Sequence, residues 1–355
     1  MKIRIYCNEY IKGEIKLKKL PLILTIILIP FFSFFGFSGC GGTNALTVVR
    51  VSEVTHSVFY APMYIALNNG YFEDEGLDVQ ISNASGSNNV MTAVISGQAE
   101  IGLAGPETVV YNAVQGNTDK PTVFGQLTAC DGSFLIGRTA DPDFELGDLA
   151  GKTIVAGRRG GMPAMTLQYA LHSAGLEAGT DYTLNLDVDF GLVAGAFEGG
   201  TGDYCTMFEP TASAYVSAGK GSIVASIGEL GGSVPYTAFI ANQKYLTDNS
   251  LNAERFLRAI YRGYNYLINA DIDDVVDSVI PSFVGSDEVI IKSAIENYIS
   301  IGAYASSPLM SEESFDRMIE IITFAGELDA NADVDFEDVI DNTISQKVLS
   351  YFSMF

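Results

Sequence analysis

From Leu46 onward, short apolar runs alternate with amphipathic stretches, the spacing of repeated βα units. Strands are predicted over 46–54, 77–81 and 101–104. They alternate with helices over 60–69, 89–96 and 107–115, the first two closed by Gly70 and Gly97. A second series follows Arg138, with strands over 153–156, 183–187 and 204–208 and helices over 163–174, 193–198 and 211–217. Such alternation predicts an α/β chain of two Rossmann-like lobes with mostly parallel strands. Residues 133–137 and 236–241 are apolar, strand-like and flank the second series, so they are expected to be the two crossing strands of a hinge. Lobe 1 would then be discontinuous, 46–135 plus 240–355, and lobe 2 would be 136–239. Amphipathic stretches over 253–269, 287–304 and 311–325 predict helices that return onto the first lobe.

The first 39 residues follow a different pattern. Lys12, Lys16, Lys18 and Lys19 precede a run from Leu20 to Phe37 with no charged residue, which ends in Phe37-Ser38-Gly39-Cys40. That is the outline of a signal peptide. Its end resembles a bacterial lipobox, which implies acylation of Cys40 as the mature N-terminus, with 40–45 as a tether. The alternative is an uncleaved membrane anchor, since about 18 apolar residues can just span a bilayer. Either way, the rest of the chain is expected outside the cytoplasm, fixed to the cell membrane.

Charge and cysteine content narrow the chemistry. The formal net charge is −23, and residues 1–39 carry six Lys/Arg and two Asp/Glu, so the remainder is more acidic still, at −27. Nothing offsets phosphate repulsion, which argues against nucleic-acid binding. Beyond Cys7 and Cys40 only Cys130 and Cys205 remain, and the chain has two histidines, so neither a metal site nor a disulfide framework is expected. Asp329, Asn331, Asp333 and Asp335 have the alternation of a calcium loop. Val334 and Ile340 stand where such a loop needs glycine and glutamate, so the stretch is expected to be a solvated linker. No phosphate-cradling GxxxxGK[ST] loop is present. The chain is expected to need no cofactor and to act as a monomer.

Ligands of open α/β sheets lie beyond the carboxyl ends of the strands, so the loops at those ends supply the candidate site. In the first lobe these are His56 and Ser57, with Phe59 and Tyr60 as aromatic walls, then Ser85 and Gly86, then Gly105, Pro106 and Glu107. In the second lobe, Arg158, Gly160, Gly161 and Met162 precede a helix that opens on Pro163, an arrangement that directs backbone amides at an anion or a carbonyl oxygen. Phe190, Glu209 and Tyr236 lie at further strand ends. Glu209 could accept hydrogen bonds from an amino group; the alternative is an ion pair at the edge of the core. Ser57 could equally be a helix cap. The glycine-rich loop fits a small oxoanion or sulfonate, whereas Phe59, Tyr60, Phe208, Glu209 and Tyr236 fit an aromatic heterocycle.

The run Tyr60-Ala61-Pro62-Met63-Tyr64-Ile65-Ala66, then Gly70-Tyr71-Phe72 and Glu75-Gly76-Leu77-Asp78-Val79, resembles the opening of type II periplasmic binding proteins of the nitrate/taurine/sulfonate transport class. That class includes receptors for thiamine-pyrimidine precursors. Ser96-Gly97-Gln98-Ala99-Glu100-Ile101-Gly102, Leu149-Ala150-Gly151-Lys152-Thr153-Ile154, Gly202-Asp203-Tyr204 and Phe208-Glu209-Pro210 extend the likeness in order along the chain. The resemblance implies a receptor that closes on a small-molecule ligand, with an ABC permease and ATPase as partners on other chains. An enzyme on the same fold and a ligand sensor are the rival expectations.

Overall fold

The computed structural model describes residues 45–116 and 120–354. Residues 1–39 and Cys40, on which the signal and lipidation expectations fall, lie outside the described residues, as does the side chain of Phe190. Among the described residues, no helix is long and apolar enough to cross a membrane.

Ten strands form: β1 Thr47–Glu53, β2 Leu77–Asn83, β3 Ile101–Ala104, β4 Pro121–Thr128, β5 Ser133–Gly137, β6 Thr153–Val155, β7 Thr183–Asn185, β8 Tyr204–Phe208, β9 Ser222–Ser226 and β10 Thr237–Asn242. They pair into two five-stranded sheets, ordered β2-β1-β3-β10-β4 and β7-β6-β8-β5-β9. In both, the strand beside the last one is antiparallel to its neighbours: β10 in the first sheet, β5 in the second. These are the two strands predicted to cross. The chain leaves the first sheet after β4 and enters the second as β5; it leaves the second after β9 and re-enters the first as β10. The remaining pairs of β1 and β6 are parallel.

Strands β4 and β9 were not foreseen. All eight residues of β4 are buried although it is a sheet edge. The C-terminal chain covers that edge: the Gln126 N–H donates to the Pro308 carbonyl (2.8 Å), the Asp341 N–H to Val123 (2.8 Å) and the Ser345 hydroxyl to Phe124 (2.7 Å). A covered edge cannot pair with another chain. Helix Ser250–Asn269 packs so closely that a Cβ at Gly125 would sit 2.7 Å from Leu257. Glycine inside this strand is therefore a packing requirement, not a turn signal.

The two lobes pack against one another. One apolar core contains first-sheet residues such as Val51 and Leu103, crossing residues such as Phe134 and Phe239, and second-lobe residues such as Val155, Met165 and Met207. A smaller core, with Leu135, Ile154, Leu167 and Ile227, lies within the second lobe.

Candidate functional site

Strand ends and crossings meet where the lobes touch. The sites expected there divide into groups that bond to each other and groups that do not.

The bonded set begins with Ser57. Its hydroxyl accepts from the Phe59 N–H (3.2 Å), capping the short turn Val58–Tyr60, and donates to the Glu209 carbonyl across the lobes (2.8 Å). Ser57 is thus the cap that the sequence allows, and its hydroxyl also reaches the opposite lobe. Glu209 is 1 % exposed, and each carboxylate oxygen has donors. Oε1 accepts from the Ser213 hydroxyl (2.8 Å) and Asn297 (2.6 Å), and Oε2 accepts from the Ser213 N–H (2.8 Å). Its own N–H donates to the Tyr298 hydroxyl (2.9 Å). Burial raises its pKa, and the bonds from Asn297 and Ser213 oppose that. With these donors in place, Glu209 fastens the lobes. The Phe59 ring packs 4.8 Å from Tyr298, 5.7 Å from Phe208 and 5.8 Å from Tyr236. Gly132 is needed beneath it, since a Cβ there would lie 2.7 Å from the ring.

His56 is committed elsewhere. Nδ1 lies 2.9 Å from Glu53 and from the Tyr64 hydroxyl, Nε2 lies 2.8 Å from the Ser282 carbonyl, and the ring stacks on Phe283 at 4.5 Å. The bond to Glu53 raises its pKa against the effect of burial. Ser85 and Gly86 follow the edge strand β2; Ser85 is exposed at φ 56° and its N–H donates to Asn83 (2.8 Å). The Gly86 N–H donates to the Val54 carbonyl (3.0 Å). Gly161 caps helix Met162–Ser173, with Met162 buried, Gly160 near Glu327, and Arg158 exposed. Phe190 opens the turn Phe190–Leu192. Asp329–Asn331 is an Asx turn, with the Asn331 N–H donating to Asp329 (2.8 Å), and among the described residues no group of His, Cys, Asp and Glu could hold a metal.

The unbonded set is smaller and more informative. Glu107, Asp131, Thr166 and Tyr236 are at most 7 % exposed. Glu107 Oε2, Asp131 Oδ2, Thr166 Oγ1 and the hydroxyls of Tyr236 and Tyr111 are buried without a hydrogen-bond partner. Tyr236 feels both carboxylates, Asp131 more strongly than Glu107. Tyr111 lies one helical turn beyond Glu107 and feels both Glu107 and Arg158. Asp131 uses only Oδ1, which accepts from the Ser133 N–H (2.7 Å) and hydroxyl (2.5 Å). The hydroxyls of Tyr236 and Thr166 are close enough to favour the charged form of Asp131, without reaching hydrogen-bonding geometry. Gly228 and Gly231 bring a short helix against this point. A Cβ at Gly228 would sit 2.3 Å from the Asp131 carbonyl, and one at Gly231 2.5 Å from Thr166.

Burial pushes both acids up. Glu107 reaches about 7, opposed by its own backbone N–H at the start of helix Glu107–Val114 and by Arg158. Asp131 reaches about 7, opposed chiefly by Ser133. Gly105 and Pro106 hold Glu107 in place: a Cβ at Gly105 would lie 2.0 Å from its carboxylate. Surface hollows of ≈ 450 Å³ beside Tyr71 and Arg262 and ≈ 380 Å³ beside Met310 and Phe336 lie away from this cluster.

Strand-end reasoning named Glu107 and Tyr236, which belong to this unpaired cluster, and did not name Asp131, Thr166 or Tyr111. A lone acid in the apolar run Ala129-Cys130-Asp131-Gly132 was a usable signal, as was Tyr111 four residues after Glu107. Thr166, inside an apolar helix, gave none.

Comparisons with known proteins bear on the whole chain. A protein named putative binding protein YtlA, from Bacillus subtilis (strain 168), is 38% identical over 307 residues, 86% of this chain and 91% of that one. A 4-amino-5-hydroxymethyl-2-methylpyrimidine phosphate synthase from Candida albicans (strain WO-1) is 28% identical over 243 residues, 64% of this chain and 68% of that one. The solved structure of the ligand-binding component of an ABC-type import system from Staphylococcus aureus superposes with a TM-score of 0.69 at 8% identity, covering 85% of this chain and 99% of that one, a likeness of fold alone. A family model described as NMT1/THI5 like matches residues 58–271. With that match over most of the two-sheet body and a relative so similar along nearly its full length, this chain belongs to the NMT1/THI5-like family.

Proposed function

We propose that this chain is the extracytoplasmic solute-binding protein of an ABC importer, holding a small molecule between its lobes and presenting it to permease and ATPase subunits on other chains. It is a monomer with lobes 46–135 plus 240–355 and 136–239, tethered by lipid on Cys40 after removal of residues 1–39. The reading is supported by the name of the Bacillus relative and the fold shared with an importer component. The observation that carries it is the set of unsatisfied polar atoms drawn from both lobes and both crossings. Buried polar groups are normally paired, so a converging group left unpaired is a place for a ligand.

The Candida relative's name raises an enzymatic reading. Against it, both histidines are engaged outside the cluster, His56 with Glu53 and Ser282 and His172 with Glu177. Burial pushes the thiols of Cys130 and Cys205 to about 12, so neither is a thiolate nucleophile at neutral pH.

The test is to incubate the purified chain with a polar small-molecule extract of the cells that make it, wash, denature and identify what is released. A receptor retains a molecule, releases it unchanged, and unfolds at higher temperature while holding it. Catalytic conversion of that molecule, or nothing retained, sinks the proposal.

A further inference from the structure

Resting on that reading, we infer that the site takes an organic cation bearing N–H donors, bound between the carboxylates of Glu107 and Asp131, and not an oxoanion or sulfonate. The unsatisfied groups decide the sign. Glu107 Oε2 and Asp131 Oδ2 can only accept when ionised, and the hydroxyls of Tyr236, Tyr111 and Thr166 can turn to accept as well. A ligand that pairs both ionised acids must arrive with N–H or O–H donors, and a charge-assisted N–H pairs a carboxylate more strongly than a neutral donor does. An anion would instead face two acids in a site that excludes water, where like charges repel strongly.

The surroundings agree. The titratable and charged groups whose charges act on or respond to Glu107 are Tyr111 on its own helix, Tyr236 beside the second crossing and Arg158 from the second lobe; Glu327 also acts on Tyr111. Facing Asp131 are Ser133, Tyr236 and Thr166, with Cys130 beside it and Glu229 near that thiol. Arg158 is the one cation in this set, and it is exposed, so the buried part is acidic. The rings of Phe59 and Phe208 flank Tyr236 at 5.8 and 6.0 Å. Such aromatic rings favour a flat cation over an anion. The resting pKa values near 7 fit too, because a bound cation draws both acids into their charged forms.

Benzamidine, benzamide and benzoate share one shape and differ in charge and N–H donors, and methanesulfonate adds a simple sulfonate. Their binding to the purified chain at pH 8, by calorimetry, tests the inference. Benzamidine is expected to bind most tightly, benzamide more weakly, and benzoate and methanesulfonate not at all. Glu107→Gln and Asp131→Asn should each weaken benzamidine roughly tenfold or more, as loss of a charge-assisted pair does. Thermal unfolding of each variant confirms that it is folded. Benzoate or methanesulfonate binding as tightly as benzamidine overturns the ligand class, as does benzamidine binding that neither variant weakens or no binding of benzamidine. A molecule recovered from the cell extract would leave the receptor reading standing in those cases, so the two proposals fail separately.

Discussion

Glu209 and Asp131 are both buried carboxylic acids at the meeting of the lobes, and they show two ways of living there. Glu209 receives three hydrogen bonds on its side chain, from Ser213 and Asn297, and ties helix Thr211–Ser217 to helix Glu288–Ser300. Asp131, like Glu107 nearby, has one oxygen without a donor. A carboxylate with its donors in place is a fastener; one without them strains the fold that carries it. Protein stability gives no reason to keep the second arrangement; on the receptor reading proposed above, its reason is a bound ligand.

The largest expected effect of removing one member of this contrast is at Glu209. Glu209→Ala strips donors from Ser213 and Asn297 of their acceptor, and the loss should be about 2–4 kcal/mol in chemical denaturation. Glu209→Gln, which keeps the shape, should lose less. A Glu209→Ala loss below about 1 kcal/mol would mean those bonds contribute little. A smaller and opposite effect is expected at Tyr236, whose hydroxyl is orphaned. Tyr236→Phe, measured at pH 5 where Asp131 is protonated, should be more stable by up to about 1 kcal/mol, since it removes a buried unpaired group. A clear loss of stability there would show that the hydroxyl has a partner in solution.

Much of this architecture is legible in the sequence because βα units carry local signals. Strands β1, β3 and β8 and the turns at Gly70 and Gly97 are written in short apolar runs and glycine stops, and both crossings show as apolar segments outside the repeat. Strand β4 was hidden because Pro121, Gly125 and Gln126 look like breakers until Leu257 and the C-terminal chain are packed on them. The site was legible by position and not by role. Glu209 stands where a ligand acceptor was expected, but its partner Asn297 lies 88 residues away, and no local pattern reveals it. Asp131 sits in the link between β4 and the crossing strand β5, not at a strand end followed by a helix, so strand-end reasoning passed over it.

That two buried carboxyls each leave one oxygen without a partner is tested most directly by the pH dependence of stability in the double variant Glu107→Gln/Asp131→Asn. Both acids titrate near 7 in the fold against ordinary values of 4.5 and 3.8, so their stabilising protonated forms are held at low pH and lost as pH rises. Wild-type stability should fall relative to the double variant between about pH 4 and 7 and level off above that, with a difference that grows by roughly 3 kcal/mol or more across the window. A difference that stays constant from pH 4 to 8, or that moves in favour of the wild type as pH rises, would contradict the account.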